Sequence, residues 1–304
     1  MAKQWLRFNV YLGIVAFAGS AGLLAAGAPF MKTWFYCFAW WSFLLALDGV
    51  NVRRAGASTL FGAGSDFLFS AFLSVPVWLV FELFNLRLKN WSYQGVPASL
   101  PERWAGYFIA FATVIPALKI IAAFIRSLHK NKKWACGRLA VRPAFLRLSL
   151  VLGFASLTAT LVWPRLFFPL VWLGFIFLLE PLNYRRRRPS LLGDLEEGDA
   201  SRLAEWLSAG LAAGLIWELF NFWAGSHWEY HIPYLNFGRI FQMPVFGFLG
   251  FLPFALEIFA IDALARGFYG RLKDRPALRA AFWIGLTAFD LAGFYLIDIM
   301  TVVH

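Results

Sequence analysis

Residues 68–86 read LFSAFLSVPVWLVFELFNL, and residues 205–224 read EWLSAGLAAGLIWELFNFWA. Each is an apolar run long enough to cross a bilayer, because about 20 residues of helix span the hydrocarbon layer. The two runs close on matching pentapeptides, Phe81-Glu82-Leu83-Phe84-Asn85 and Trp217-Glu218-Leu219-Phe220-Asn221. Each is followed by a Trp-x-Tyr, Trp91-Ser92-Tyr93 and Trp228-Glu229-Tyr230. A carboxylate at a fixed place in two hydrophobic segments predicts an internal duplication that carries an acid inside a membrane.

The rest of the chain has the same character. Of its 304 residues, 60% are hydrophobic and only 15% charged, too little polar surface for a soluble domain of this length. The charges separate nine apolar stretches, at 9–29, 34–52, 68–86, 104–126, 144–163, 165–183, 205–224, 240–265 and 278–300. The expected fold is therefore an all-α, polytopic transmembrane helix bundle. The first 28 residues have the outline of a signal peptide, with Ala26-Gly27-Ala28 as a small-residue site. Their apolar run is long enough to span, however, and 144–163 is its counterpart, so a membrane helix is expected there. Cys37 and Cys136 fall on opposite sides of the membrane and form no disulfide.

Most of the 28 Lys and Arg fall in alternate connections. Lys3 and Arg7 begin the chain, and Arg53 and Arg54 follow the second span. A third group runs from Arg126 through Lys130 to Arg147, a fourth is Arg185 to Arg188 with Arg202, and a fifth runs from Arg266 to Arg279. The positive-inside rule then places the N-terminus in the cytoplasm and His304 outside, in a bacterial-type inner (plasma) membrane. The net charge of +11 reads as orientation and as contact with membrane lipids; no basic domain stands apart to bind nucleic acid.

The duplication extends beyond the pentapeptide. Leu47-Asp48-Gly49-Val50-Asn51-Val52-Arg53-Arg54 matches Leu179-Glu180-Pro181-Leu182-Asn183-Tyr184-Arg185-Arg186 at an offset of 132. The offset is 136 at Glu82/Glu218 and 137 at Trp91/Trp228 and Pro116/Pro253, a drift that loop insertions produce. The expected organisation is one four-helix repeat over 1–135, a second over 136–270, and an additional helix over 271–304. Four spans is an even number, so the two units enter the membrane in the same direction and are related by an axis along its normal.

Ionisable groups inside apolar spans are expensive unless paired or hydrated, so each is a functional candidate. Asp48 and Glu180 sit at span ends, where capping a helix or pairing with the following arginines is the expected role. Lys119 and Glu257 occupy matching places after Pro116 and Pro253 and are expected to pair between the halves. Asp290 and Asp298 share one face of the last span. Between the arginine run and the seventh span, 189–205 predicts a short interfacial helix rich in acids, with Ser201 capping the next helix near Glu205.

Glu82 and Glu218, each with an Asn three residues on, either organise packing or face an outward-opening cavity. The segment after Glu218 is Ser226-His227-Trp228-Glu229-Tyr230-His231, whose alternate residues His227, Glu229 and His231 can titrate or ligate a metal. In an extended segment these point one way. The first unit has Asn90, Ser92 and Gln94 instead, so any acid–base chemistry is expected in the second unit. Glu218, His227, Glu229 and His231 are the catalytic candidates. Asn221, Glu82, Asn85, Trp228 and Tyr230 are the substrate-binding candidates. His227, Glu229 and His231 are the only metal-ligand set suggested, and their spacing matches no established motif for a divalent ion. An aromatic belt at headgroup depth, anchored by Trp228, Tyr230 and Tyr234, accounts for the same residues without chemistry.

Phe, Trp and Tyr make up 19% of the chain. Such an excess of π faces suits membrane anchoring and packing, and also a cavity that cradles a polyene or isoprenoid or stabilises a cation. Phe241-Gln242-Met243-Pro244-Val245-Phe246-Gly247-Phe248 resembles the apolar, proline-containing stretches of the small membrane lycopene cyclases, which implies duplicated helices with intramembrane acids. The paired acids that follow the proline in that family are missing here. Walker, dinucleotide, nucleophile-elbow, haem and zincin motifs are absent as well. The expected ligand is a hydrophobic, lipid- or isoprenoid-like small molecule, bound or processed near the outer leaflet. A proton-coupled secondary transporter and a structural or assembly protein are the alternatives.

Overall fold

The structure, a computed structural model, describes residues 4–62, 66–129 and 132–303; Lys3, Lys130 and His304 lie outside these. Nine helical segments among the described residues are long and apolar enough to cross a membrane. In chain order the first helices are α1 (Asn9–Ala25), α2 (Pro29–Ala55) and α3 (Asp66–Leu88), after which comes strand β1 (Trp91–Gln94). One span is broken into α4 (Leu100–Phe111) and α5 (Val114–Leu128). Then come α6 (Pro143–Val162), the one-turn α7 (Pro164–Phe167), α8 (Val171–Arg185), the short α9 (Leu191–Glu197) and α10 (Ser201–Trp223). Strands β2 (His227–Tyr230), β3 (Arg239–Ile240) and β4 (Met243–Pro244) precede α11 (Phe248–Gly270) and α12 (Pro276–Met300). The bundle is all-α apart from these ribbons, as the composition requires.

The eighth span starts later than its hydropathy suggests. Residues 239–244 form the β3–β4 hairpin, with Phe241 at φ 57°, and the span begins at Val245. A left-handed residue and Pro244 stop a helix from starting there. The stretch that resembles the lycopene cyclases is thus a turn leading into a helix.

Several contacts recur between the two parts of the chain. The Asn51 side chain donates to the Ile120 carbonyl at 3.0 Å, and the Asn183 side chain to the Ala260 carbonyl at 2.9 Å. Asp48 accepts from Ser58 Oγ and the backbone of Thr59, while Glu180 accepts from Ser190 Oγ and the backbone of Leu192. Both carboxylates therefore fasten the segment that follows their helix, and neither takes up the adjacent arginines. Phe81 stacks on Trp172 and Trp217 on Trp40, at centroid distances of 5.2 and 5.9 Å.

Two expectations are corrected. Lys119 and Glu257 do not pair. Lys119 lies 3.2 Å from Asp66 and 3.9 Å from Asp262, and Arg266 also binds both of those acids. The Glu257 carboxylate turns to α8 and accepts the Phe175 N–H at 2.8 Å. Lys119 follows Pro116 by three residues and Glu257 follows Pro253 by four, so the two side chains do not sit at the same place on their helices. On the last span, Asp298 binds Arg103, whereas one Asp290 oxygen is buried without a partner among the described residues. Finally, Ser201 does not cap α10. Its hydroxyl accepts the Trp134 N–H, and Glu205 pairs with Arg126.

Candidate functional site

The two Trp-x-Tyr segments are the strands β1 and β2, which pair antiparallel. Trp91 sits opposite Tyr230, Ser92 opposite Glu229, Tyr93 opposite Trp228 and Gln94 opposite His227. Two asparagines hold this ribbon onto the helices. Asn221 Nδ2 donates to the Trp228 carbonyl and its Oδ1 accepts the Trp228 N–H, both at 2.9 Å. Asn85 does the same for Trp91, at 2.9 and 3.2 Å, and also accepts the Asn90 N–H. Each carboxamide is thus committed to the backbone on both its donor and its acceptor side. Asn85 and Asn221, expected as binding residues, are latches.

A strand alternates its side chains, so fixing Trp91 and Trp228 turns the tryptophans and tyrosines toward the bundle. Tyr93 OH, Trp78 Nε1 and Trp91 Nε1 all donate to Glu82, at 2.5, 2.8 and 3.1 Å. Glu82 thus takes three donors and offers none, the pattern of a carboxylate. In the second set Tyr230 OH donates to Glu218 at 2.8 Å and accepts from Trp228 Nε1 at 2.8 Å. Among the described residues Glu218 Oε2 is buried without a partner. The difference traces to one position. Trp78, one turn before Glu82, corresponds to Gly214, where any side chain would run into the Phe251 ring at 2.3 Å.

These elements wall a cavity of about 550 Å³. Its lining draws on both parts of the chain: Trp34, Tyr36, Trp78, Trp91, Tyr93 and Tyr107 from one, and Trp172, Trp217, Trp228, Tyr230 and Phe254 from the other. Of the sequence candidates, His227, Trp228 and Tyr230 border it, while Glu82 and Glu218 lie behind the wall with exposures of 1% and 0%. Glu229 and His231 are not part of the lining. The catalytic set Glu218, His227, Glu229 and His231 therefore does not converge on one space. His231 meets Ser92 Oγ at 3.1 Å, and His227 lies 3.6 Å from Glu229. Among the described residues no three His, Cys, Asp or Glu side chains gather to hold a metal ion. The segment is extended, as expected, but this places Glu229 and His231 away from the cavity.

Arg103 and Tyr107 also line the cavity and went unnoticed in the sequence. Arg103 grips Asp298 through two nitrogens at 2.7 and 3.0 Å, and Trp104 and Tyr107 donate to the same carboxylate. The guanidinium is thereby neutralised at the cavity edge. Two signals were available: Tyr107 follows Arg103 by four residues, and Trp78 precedes Glu82 by four, the spacing of side chains that meet on a helix face.

Phenols outside the spans respond to this setting. Burial, and after it the Glu82 carboxylate, holds Tyr93 well above the ordinary tyrosine range; burial and Glu218 do the same to Tyr230. Compared with protein-family models, curated proteins and solved structures, the chain matches none.

Proposed function

We propose that this chain is a multi-pass protein of a bacterial-type inner membrane, with its N-terminus cytoplasmic, that binds a hydrophobic, lipid- or isoprenoid-like compound in the aromatic cavity. The observation behind this reading is the cavity itself. It has about 550 Å³ of space and an almost wholly aromatic and aliphatic wall, within the size range of small-molecule sites. The ribbon that closes it belongs to the poorly charged end of the bundle, which the distribution of Lys and Arg assigns to the outer face. Chemistry on the ligand, where it occurs, would pass through Tyr230, the hydroxyl that both borders the cavity and touches Glu218.

We further infer that the chain arose by duplication of a four-helix unit, over 1–135 and 136–270, with 271–304 added. The recurring Asn–Trp latches and stacked Phe81/Trp172 and Trp217/Trp40 pairs support this. In the pairing of β1 with β2, Ser92 faces its own counterpart Glu229, as a two-fold axis between the units requires.

The binding reading is tested by native mass spectrometry of the protein in mild detergent. A hydrophobic compound should travel with the wild type and be lost from Gly250→Phe, which fills the cavity beside Trp172. A wild type that carries nothing and takes up no polyprenyl or acyl probe would refute it. A secondary transporter is the second reading, favoured by one observation: Glu82 and Glu218 flank a single cavity that both units line. It requires probe flux into proteoliposomes that either Glu82→Gln or Glu218→Gln abolishes.

A further inference from the structure

The polar edges of five of the cavity's rings are already spent. Trp78 Nε1, Trp91 Nε1 and Tyr93 OH point at Glu82, and Trp228 Nε1 points at Tyr230 OH, which points at Glu218. A ligand finds these five groups unavailable as donors. What remains to face it is π surface, and each hydrogen bond to a carboxylate pushes electron density back into the ring that donates it. Behind this surface stand two acids, each only one side chain from the cavity. The guanidinium in the lining, that of Arg103, is cancelled by the two-nitrogen grip on Asp298.

We propose that the cavity receives a cation without N–H groups, a quaternary ammonium carried on an apolar body. Such a group cannot donate hydrogen bonds and gains most from ring faces in a desolvated cage. It also supplies the positive charge that Glu82 and Glu218 lack, since no lysine lines the space among the described residues. The apolar body suits the rest of the wall, Leu173, Phe246 and Leu249 among it. Of the two acids only Glu218 keeps an oxygen free of donors among the described residues. This assignment rests on the hydrophobic-site reading and narrows its ligand class.

The test compares benzyltrimethylammonium with neopentylbenzene, which has the same shape with carbon in place of nitrogen. Binding to the purified full-length protein in detergent is followed by intrinsic tryptophan fluorescence. The cation should bind about tenfold tighter than the neutral isostere. Glu218→Gln should bring the ratio toward one, and Tyr230→Phe, which detaches the ring from the acid and takes the acceptor from Trp228 Nε1, should lower it part-way. Equal binding of the two probes would overturn the cation assignment and leave the hydrophobic site standing. A preference for the cation that survives both substitutions would also overturn it. Failure of both probes to bind would remove the hydrophobic site itself.

Discussion

Glu82 and Glu218 occupy equivalent places, yet replacing each by glutamine should have unequal consequences. Both side chains are essentially unexposed, at 1% and 0%, so the penalty for burying a carboxylate is common to the two and drops out of the comparison. The hydrogen bonds do not drop out. Glu82 accepts close hydrogen bonds from Trp78, Trp91 and Tyr93, whereas the close one to Glu218 comes from Tyr230. A hydrogen bond to a charged group contributes about 1 kcal/mol more than a neutral one. Three such bonds against one make Glu82→Gln about 2 kcal/mol more destabilising than Glu218→Gln. The amide that Glu82→Gln introduces would also turn a donor toward Trp91 Nε1, which approaches Glu82 Oε2 at 3.3 Å, and this adds in the same direction. Reversible unfolding in mixed micelles, read by tryptophan fluorescence, measures both variants against the wild type. Equal losses, or a larger loss for Glu218→Gln, would refute the hydrogen-bond account of the asymmetry.

Other consequences follow from the same contacts. Asn85→Leu removes three bonds to the backbone of Asn90 and Trp91 and should cost about 3 kcal/mol, with faster amide exchange confined to β1 and its neighbours; protection there unchanged would contradict the latch. Arg103→Met should destabilise by about 3–5 kcal/mol by leaving Asp298 buried without its cation, and adding Asp298→Leu should recover much of that in a double-mutant cycle. Tyr93 and Tyr230 should resist ionisation when alkali titrates exposed tyrosines near pH 10, as followed by ultraviolet absorbance. Their raised values keep the neutral form in the folded state, so the stability they contribute is complete below about pH 10 and declines as pH rises toward the folded values.

How much of this was legible beforehand depends on what each feature rests on. The helices were legible because apolar length and charge spacing are one-dimensional properties: all nine apolar stretches reappear as helices, with shifted edges where Phe241 and Pro244 form a turn. Glu82 and Glu218 were identifiable as exceptional because an acid stands out in an apolar run. Their partners were not, because a hydrogen bond between Tyr230 and Glu218 depends on how Asn221 turns the strand, and Asn221 looked equally suited to a ligand. The Lys119–Glu257 pair failed for a related reason. Lys119 stands three residues after Pro116 and Glu257 four after Pro253, which is about 100° apart around a helix. Aromatic residues were ambiguous throughout, since anchoring, packing and lining a cavity draw on the same side chains. Only the fold divides Trp217, which lines the cavity, from Trp206, which is packed against Phe259.

The division of labour between the two acids comes down to Trp78 and Gly214. An indole one turn before Glu82 completes that carboxylate's shell, so the side chain is fixed by its own neighbours and serves the packing of α3 against β1. A glycine at the corresponding place lets α11 approach closely, with Phe251 filling the space an indole would take, and leaves Glu218 with an unanswered oxygen. Leaving a buried polar atom unsatisfied costs about 1–3 kcal/mol, which packing alone gives no reason to keep. At that place the chain carries a glycine with the Phe251 ring packed on it, beside the cavity. An open valence behind an aromatic wall, at the acid whose tyrosine borders the space, is what a site reserved for a ligand's charge requires. For that reason Glu218, rather than its better-satisfied counterpart, is where substitution should change binding more than it changes folding.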